Sequence, residues 1–121
     1  MGYTIEVDKE KKRIRFKLVG FLVNEETEAM IEKMADHLNS LGEGTTFLGD
    51  LTEFRIMKDR DVLVRHMKPV TESKNYKAGA FILPNSAIGK LQLRAARRQN
   101  PSSKRKVFIN RDEAEQWLDS L

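Results

Sequence analysis

The chain has 121 residues, of which 40% are hydrophobic and 33% are charged, which suits one domain with one apolar core. It contains no cysteine, which excludes disulfides, thiol nucleophiles and thiolate metal sites. There is no run of about 18 apolar residues, so no transmembrane helix is predicted. The first residues lack the basic-then-apolar order of a signal peptide, and we therefore expect a cytoplasmic protein.

The net charge of +4 conceals an uneven distribution. The segment from Ser73 to Arg111, called here the acid-free segment, contains no aspartate or glutamate but 10 of the 22 basic residues. The rest of the chain holds the other 12 basic residues and all 18 acidic ones, a net charge of −6. This pattern favours either an anionic partner or a pairing between basic and acidic faces within the protein.

The chain begins with a predicted β-hairpin. Apolar and polar residues alternate over residues 3–8 and again over 13–18, with a polar turn between them. A period of two is typical of half-buried strands, and the short turn indicates antiparallel pairing. Gly20 interrupts the second strand, which predicts a bulge or a close backbone approach there.

A helix is predicted over residues 25–41. Asn24 is a good N-cap because its side chain can accept hydrogen bonds from the first free amides. Gly42 is a plausible stop. Five apolar residues recur at helical spacing and are predicted to fill the core: Met30, Ile31, Met34, Leu38 and Leu41.

The third strand is predicted around Phe47, Leu48 and Leu51. Its apolar run is continuous rather than alternating, as in a parallel strand that is covered on both faces. Asp50, near the end of this strand, needs hydrogen-bonding partners if it is buried, or else faces a crevice. A second helix is predicted to begin near Asp59, and Pro69 should end or kink it.

Two further strand–helix pairs follow. A buried strand is predicted over residues 78–83, and the breaker sequence Pro-Asn-Ser at 84–86 precedes a third helix over 87–98. The last strand is predicted over 106–109. Asn110 then caps a final helix, in which Glu113 can complete a capping box. The apolar stripe of this helix is Ala114, Trp117, Leu118 and Leu121.

The predicted order is β-β-α-β-α-β-α-β-α. Alternating strands and helices imply an α/β fold with right-handed crossovers, and the first hairpin adds one antiparallel edge. We therefore predict a single domain over residues 1–121, with a mixed, mostly parallel sheet and helices packed on it.

At this point the chain resembles the anti-sigma-factor-antagonist (STAS) fold across nearly its whole length. The matching features are the opening hairpin, Gly20, Phe-Leu-Gly-Asp-Leu-Thr at 47–52, and Val-Phe-Ile-Asn-Arg-Asp-Glu-Ala-Glu-Gln-Trp-Leu at 107–118. More closely, the chain looks like the bacterial STAS-like proteins grouped with the CRAL-TRIO lipid-transfer superfamily, most of which lack an assigned function. The resemblance implies a STAS-like fold and a regulatory or binding role.

STAS antagonists carry an Asp-Ser-Ser-Gly loop after the third strand, and phosphorylation of a serine there controls partner binding. The corresponding loop here is about residues 56–61, and it has no serine. We therefore predict no phosphorylation site. Asp59 lies near the place of that serine and could act as a fixed negative charge, although a helix N-cap explains it more simply. Thr52 is the nearest hydroxyl and is expected to bond locally.

A basic stripe on the third predicted helix is the first candidate site. Lys90, Arg94, Arg97 and Arg98 fall at i, i+4, i+7 and i+8, so they share one helix face, with the basic residues 104–106 expected nearby. Such a face can hold phosphate groups of a lipid, a nucleotide or a nucleic acid. The alternative is a solvated helix face paired with acidic neighbours. The pattern disfavours nucleic acid as the partner, because no aromatic residues interleave with these charges.

The carboxyl ends of the parallel strands form the second candidate site. Open parallel sheets usually bind ligands in the crevice beyond these ends, and a helix N-terminus there attracts anions. Asp50, Thr52, Asn85 and Ser86 are the predicted rim residues. Plain helix capping is the simpler interpretation for Asn85 and Ser86.

No catalytic or metal site is predicted. His37 and His66 lie on different predicted helices without ligand spacing, and we interpret them as surface residues. There is no nucleophile–base–acid set and no glycine-rich phosphate loop, so no cofactor is expected.

Two functional hypotheses remain open, with an enzyme of unrecognised residues as a weaker third. The first is a non-enzymatic regulatory or binding module that docks a protein partner, or a small apolar or anionic ligand, at the strand ends. The alternative is a lipid- or anionic-membrane-binding protein that uses the basic third helix. A homodimer through the hairpin edge or a helix is also plausible. A ligand-sized apolar cavity in the core would favour the lipid, and a filled core would favour protein docking.

Overall fold

The computed structural model describes residues 2–20, 24–54, 67–84 and 104–121, which form a five-stranded sheet with helices packed on it. The strands are β1 (Tyr3–Asp8), β2 (Arg13–Gly20), β3 (Thr45–Phe54), β4 (Tyr76–Ile82) and β5 (Arg105–Phe108). The helices are α1 (Asn24–Leu41) and α2 (Arg111–Asp119). Residues 67–71 are also helical.

The strands lie in the order β1-β2-β3-β4-β5. The pair β1–β2 is antiparallel, with Tyr3 opposite Leu18 and Asp8 opposite Arg13, whereas the other three pairs are parallel. The predicted hairpin and the mixed, mostly parallel sheet are therefore confirmed. The order also places β3 at the centre of the sheet.

Most of the predicted boundaries hold to within one or two residues. The helix α1 ends at Leu41, and Gly42 follows it with a φ of +84°, a conformation that suits glycine. Its N–H donates to the Leu38 carbonyl at 3.0 Å, which closes the last turn. At the end of β2, Gly20 has a φ of +66°, and the pairing with β3 shifts register between Lys17 and Val19. Gly20 itself pairs in register with Phe54 and has no close neighbour at its Cβ position, so the bulge lies just before the residue at which it was predicted.

The helical conformation does not end at Pro69, so that part of the prediction is wrong, whereas a kink there is not tested because residues 55–66 lie outside the described residues. Residues 67–71 are helical on both sides of this proline, and the Glu72 N–H donates to the Lys68 carbonyl at 2.9 Å across it. Proline has a fixed φ that is compatible with a helix, so residues 67–71 are helical on both sides of it. The beginning predicted near Asp59 lies outside the described residues, as does the third predicted helix over 87–98.

One face of the sheet, called here the α1 face, carries the larger core cluster. Alternate residues of β2 point to it and pack against α1 and Val70. The predicted core residues Met30, Met34 and Leu38 are at most 1% exposed. The buried members of this cluster are Ile14, Phe16, Leu18, Met30, Ile31, Met34, Leu38, Phe47, Val70 and Tyr76.

The opposite face, called here the α2 face, packs against α2. Its cluster joins small and large residues of β3, β4 and β5 to the helix, with Trp117 at the margin. The Asn110 Oδ1 accepts from the Glu113 N–H at 3.1 Å, which confirms the predicted N-cap. Leu121 was predicted to point inward but is 48% exposed, because α2 ends at Asp119. The buried members are Leu48, Ala78, Ala80, Ile82, Phe108, Ala114 and Leu118.

Candidate functional site

The burial of the central strand, β3, changes along its length. Residues 45–49 of β3 are buried, whereas residues 50–54 are half-buried or exposed. Because β3, β2 and β4 are parallel, this polar half lies at the edge of the sheet where their carboxyl ends meet. We call Lys17, Asp50, Thr52 and Glu53 the strand-end rim.

Asp50 and Thr52 are bonded to each other in the strand-end rim. The Asp50 Oδ1 accepts from the Thr52 N–H at 2.9 Å and from the Thr52 hydroxyl at 2.6 Å. The local bonding predicted for Thr52 is therefore confirmed, and the half-buried Asp50 has the partners it needs. Lys17 pairs in register with Asp50 and forms an ion pair with Glu53. The hydrogen bond that Lys17 donates to Glu53 raises the pKa of Lys17, so the lysine keeps its positive charge beside the rim carboxylates.

The other predicted site residues are not part of the described structure. Asn85 and Ser86 lie outside the described residues, and so does the basic stripe of Lys90, Arg94, Arg97 and Arg98. The loop over 56–61 and His66 also lie outside them. The structure places Asp50 and Thr52 together and leaves the remaining site predictions as predictions. His37 is half-buried on α1.

A second cluster of charged residues joins β2 to α2 and was not predicted. The Arg13 side chain is only 3% exposed, and its Nε donates to the Thr46 hydroxyl at 3.0 Å. Its guanidinium also donates to Glu115, and to Asp119 at 2.9 Å. A buried arginine needs such partners, because an unpaired charge in an apolar environment is costly.

Arg15 extends this cluster toward β1. Its Nε donates to the Glu115 Oε1 at 2.7 Å, and its Nη1 donates to the Asp8 Oδ2 at 3.0 Å. The Lys11 Nζ reaches Asp119 at 3.3 Å. Glu115 and Asp119 are four residues apart, so they share one face of α2. That spacing, opposite two arginines at alternate positions of β2, was the signal in the sequence that could have revealed the pairing.

These contacts hold the acidic groups in their charged form. The hydrogen bond from Arg15 lowers the pKa of Glu115, with Arg13 adding to the effect. Hydrogen bonds from Arg13 and then Lys11 lower the pKa of Asp119. For Asp8, the backbone N–H of Lys11 and the side chain of Arg15 lower the pKa. Every basic group in the cluster has an acidic partner, which suits a structural link better than a ligand site.

The α1 face contains a small apolar pocket of about 80 Å³. Phe16, Leu18, Met30, Leu51 and Phe81 line it, together with Met67, Thr71 and Arg105. Pockets for small molecules usually measure about 300–1,000 Å³. The pocket is therefore too small to hold a lipid chain in the described conformation.

An open groove of about 310 Å³ adjoins this apolar pocket. The two spaces share Met67, Thr71 and Arg105. The groove is otherwise lined by Lys68, Glu72, Tyr76 and Lys104. It lies where the helical residues 67–71 meet the first residues of β4 and β5, which is the end of the sheet opposite the strand-end rim.

Two further properties limit the chemistry of the described part of the chain. Within residues 2–20, 24–54, 67–84 and 104–121, His, Asp and Glu form no group of three or more that could hold a metal ion. None of the helices in these ranges is both long enough and apolar enough to cross a membrane.

Comparison with known proteins shows the fold. No protein-family model matches the chain, and no curated protein matches it significantly. Among solved structures, the chain is similar to an uncharacterized DUF3478-family protein with a SpoIIAA-like fold from Shewanella loihica PV-4. The TM-score is 0.70 at 22% sequence identity, over 97% of this chain and 94% of the other. The SpoIIAA-like fold is the STAS-like fold, so the predicted fold is confirmed.

Proposed function

We propose that this protein is a non-enzymatic regulatory module of the STAS-like fold that docks a protein partner at the strand-end rim. The observation that carries the proposal is the change along β3. This strand is central in the sheet, yet its last five residues are half-buried or exposed and present Asp50 and Thr52. Central parallel strands are normally covered on both faces, so an uncovered polar end is available for binding. The similarity in fold agrees with a module of this type.

A protein partner suits the rim better than a lipid does. The apolar pocket beside β3 measures about 80 Å³, whereas pockets for small molecules usually measure about 300–1,000 Å³. The rim itself carries Lys17, Asp50 and Glu53 on an open sheet edge. Mixed charges on a solvated surface are typical of the polar part of a protein–protein interface.

A matched pair of threonine variants tests the docking proposal. Thr52 lies on the rim, while Thr4 is another exposed threonine, on β1. Tagged wild type, Thr52→Arg and Thr4→Arg would be used to isolate a partner from a lysate of the source organism, and the purified complex would then be titrated. We expect Thr52→Arg to weaken the complex at least tenfold, because a large cation at the centre of an interface disrupts packing. Thr4→Arg should leave affinity unchanged.

Two outcomes contradict the docking proposal. If Thr52→Arg binds the partner as tightly as wild type does, the rim is not the interface. If the tagged wild-type protein isolates no other protein from the lysate, the module has no stable protein partner under those conditions. Circular dichroism of both variants controls for folding.

Lipid binding is the second candidate function, and the charge distribution favours it. The acid-free segment carries the basic stripe of Lys90, Arg94, Arg97 and Arg98, and basic clusters are attracted to anionic membranes. Cosedimentation with vesicles containing anionic lipid at low salt tests this candidate, since screening is weakest there. Charge reversal at Arg94 and Arg97 should abolish binding. Unchanged binding would rule out the stripe. The cytoplasmic location and the homodimer remain predictions.

A further inference from the structure

The strand β1 forms one edge of the sheet, and in the part of the chain that the structure describes no strand pairs with its outer side. The Val19 N–H donates to the Gly2 carbonyl at 2.9 Å, one position before the register that joins β1 to β2. Hydrogen-bonded and non-hydrogen-bonded residues alternate along an antiparallel pair. The backbone N–H and C=O groups that point outward therefore belong to Tyr3, Ile5 and Val7.

The two edges of the sheet differ in how they are protected. Natural edge strands are usually blunted by short length, by lysine or proline, or by a bulge. The strand β5 is only 4 residues long and carries Arg105 and Lys106. In contrast, β1 is 6 residues long, contains neither lysine nor proline, and keeps a continuous register with β2. The edge that is open to a further strand is thus β1.

The apolar side chains of β1 are only half covered. Tyr3, Ile5 and Val7 alternate with polar residues and are each half-buried. Tyr3 and Ile5 pack against the core cluster of the α1 face. Their remaining apolar surface lies beside the outward backbone groups, so one added strand would cover the surface and satisfy those groups together.

We propose that β1 pairs antiparallel with β1 of a second copy of this chain, with Ile5 opposite Ile5 at the centre. In this register Tyr3 lies opposite Val7 of the second copy, and Val7 opposite its Tyr3. Each of these pairs joins two outward residues, which exchange both of their backbone hydrogen bonds. Aromatic and β-branched side chains placed opposite each other also stabilise a sheet.

Charge and length favour this register over its neighbours. With Ile5 at the centre, Glu6 lies opposite Thr4 of the second copy, so no acid faces another acid. A centre at Glu6 would place this residue opposite itself, and like charges directly opposite destabilise a sheet. A centre at Thr4 would leave Val7 without a partner inside β1. The strand is therefore complementary to itself, which favours a second copy as the occupant, and such a symmetric contact closes as a dimer.

This dimer does not depend on the docking proposal. The strand β1 is separated from β3 by β2, so a second copy added at β1 extends the sheet away from the end of β3. Self-association is measured with the purified protein alone, whereas docking is measured with the partner and Thr52→Arg. Failure of one proposal therefore leaves the other standing.

Opposite charges placed at Thr4 test the register. Sedimentation equilibrium over a wide range of protein concentration should show wild type in reversible equilibrium between one chain and two. Thr4→Glu should weaken the dimer by about threefold to tenfold, because it faces Glu6 of the second copy twice by symmetry, and Thr4→Lys should strengthen it. Within one chain Thr4 lies opposite Lys17, so the same changes should affect the folded monomer in the opposite direction. Urea unfolding of dilute, monomeric protein provides that control.

Amide hydrogen exchange followed by NMR locates the contact. The N–H groups of Tyr3, Ile5 and Val7 should exchange more slowly as the protein concentration rises, because the second copy supplies their acceptors. Those of Thr4 and Glu6 already bond to β2 and should change less. A mass of one chain at every concentration would overturn the proposal. So would a dimer that responds to neither charge at Thr4, or one whose slowed amides all lie outside β1.

Discussion

Gly49 lies at the middle of β3, beneath two aromatic rings. Phe16 and Phe81 approach each other edge to face over it, with centroids 6.2 Å apart. A Cβ atom at Gly49 would lie 2.5 Å from the Phe16 ring and 2.9 Å from the Phe81 ring. The glycine therefore permits this aromatic pair on the α1 face, and both rings also line the apolar pocket.

We expect Gly49→Ala to destabilise the protein by about 1–3 kcal/mol, measured by urea unfolding, because the added methyl group forces the rings out of place. Phe16→Leu removes the Cζ and Cε2 ring atoms that would lie nearest to this methyl group, at 2.5 and 2.9 Å, and should relieve part of the crowding. The loss of unfolding free energy in the double variant should therefore be smaller, by at least about 0.5 kcal/mol, than the sum of the losses in the two single variants. Additive losses would mean that the rings move freely into the adjoining pocket.

Arg13 shows what the alternating pattern of a strand does not reveal about a single residue. The alternation of Arg13, Arg15 and Lys17 with Ile14 and Phe16 predicted the strand and its apolar face correctly. It gave no sign that Arg13 would be 2% exposed. That burial depends on Glu115, which is 102 positions away, and hydrophobic periodicity reports only on local neighbours.

The helix α2 is held on two sides. Ala114 and Leu118 bury its apolar side against the sheet, while Glu115 and Asp119 extend toward Arg13 on β2. Helix caps and apolar stripes are local signals, so the sequence predicted the beginning of α2 and most of its core residues. The attachment to β2 is a long-range interaction and was missed.

We expect Glu115→Gln to destabilise the protein by about 2–4 kcal/mol, because it leaves the buried Arg13 and its neighbour Arg15 without their shared carboxylate. Glu113→Gln provides a matched control: it makes the same change on the same helix, at an exposed side chain, and should fall within about 0.5 kcal/mol of wild type. Urea unfolding of both variants measures the difference. Equal stabilities would show that the cluster contributes no more than a surface ion pair.

In the molecule as a whole, the two ends of the sheet differ in charge. The strand-end rim carries charges of both signs, whereas the groove at the opposite end is mainly basic. The order of elements and the parallel pairing were predictable, because apolar periodicity and turn residues determine them. The groove could not be predicted from the sequence, because it depends on where residues 67–72 meet β4 and β5.

The stability of the whole protein should fall in acid because three carboxylates lose their charge. Glu115, Asp119 and Asp8 have folded-state pKa values below the ordinary 4.5 and 3.8. The unfolded chain therefore binds protons first as the pH decreases, and the free energy of unfolding drops. The stabilisation from these three carboxylates is complete above about pH 5, and it is lost as the pH falls through their lowered folded-state pKa values.

Urea unfolding of wild type, Glu115→Gln and Glu113→Gln between pH 7 and pH 2.5 measures this contribution. Wild type should lose stability steeply below about pH 4.5. Glu115→Gln should be less stable at pH 7, yet it should lose less on acidification, because one of the three shifted groups is gone. The two curves should therefore converge in acid, while Glu113→Gln follows wild type throughout. Parallel curves for wild type and Glu115→Gln would contradict this prediction, since they would place the acid sensitivity outside the contact between β2 and α2.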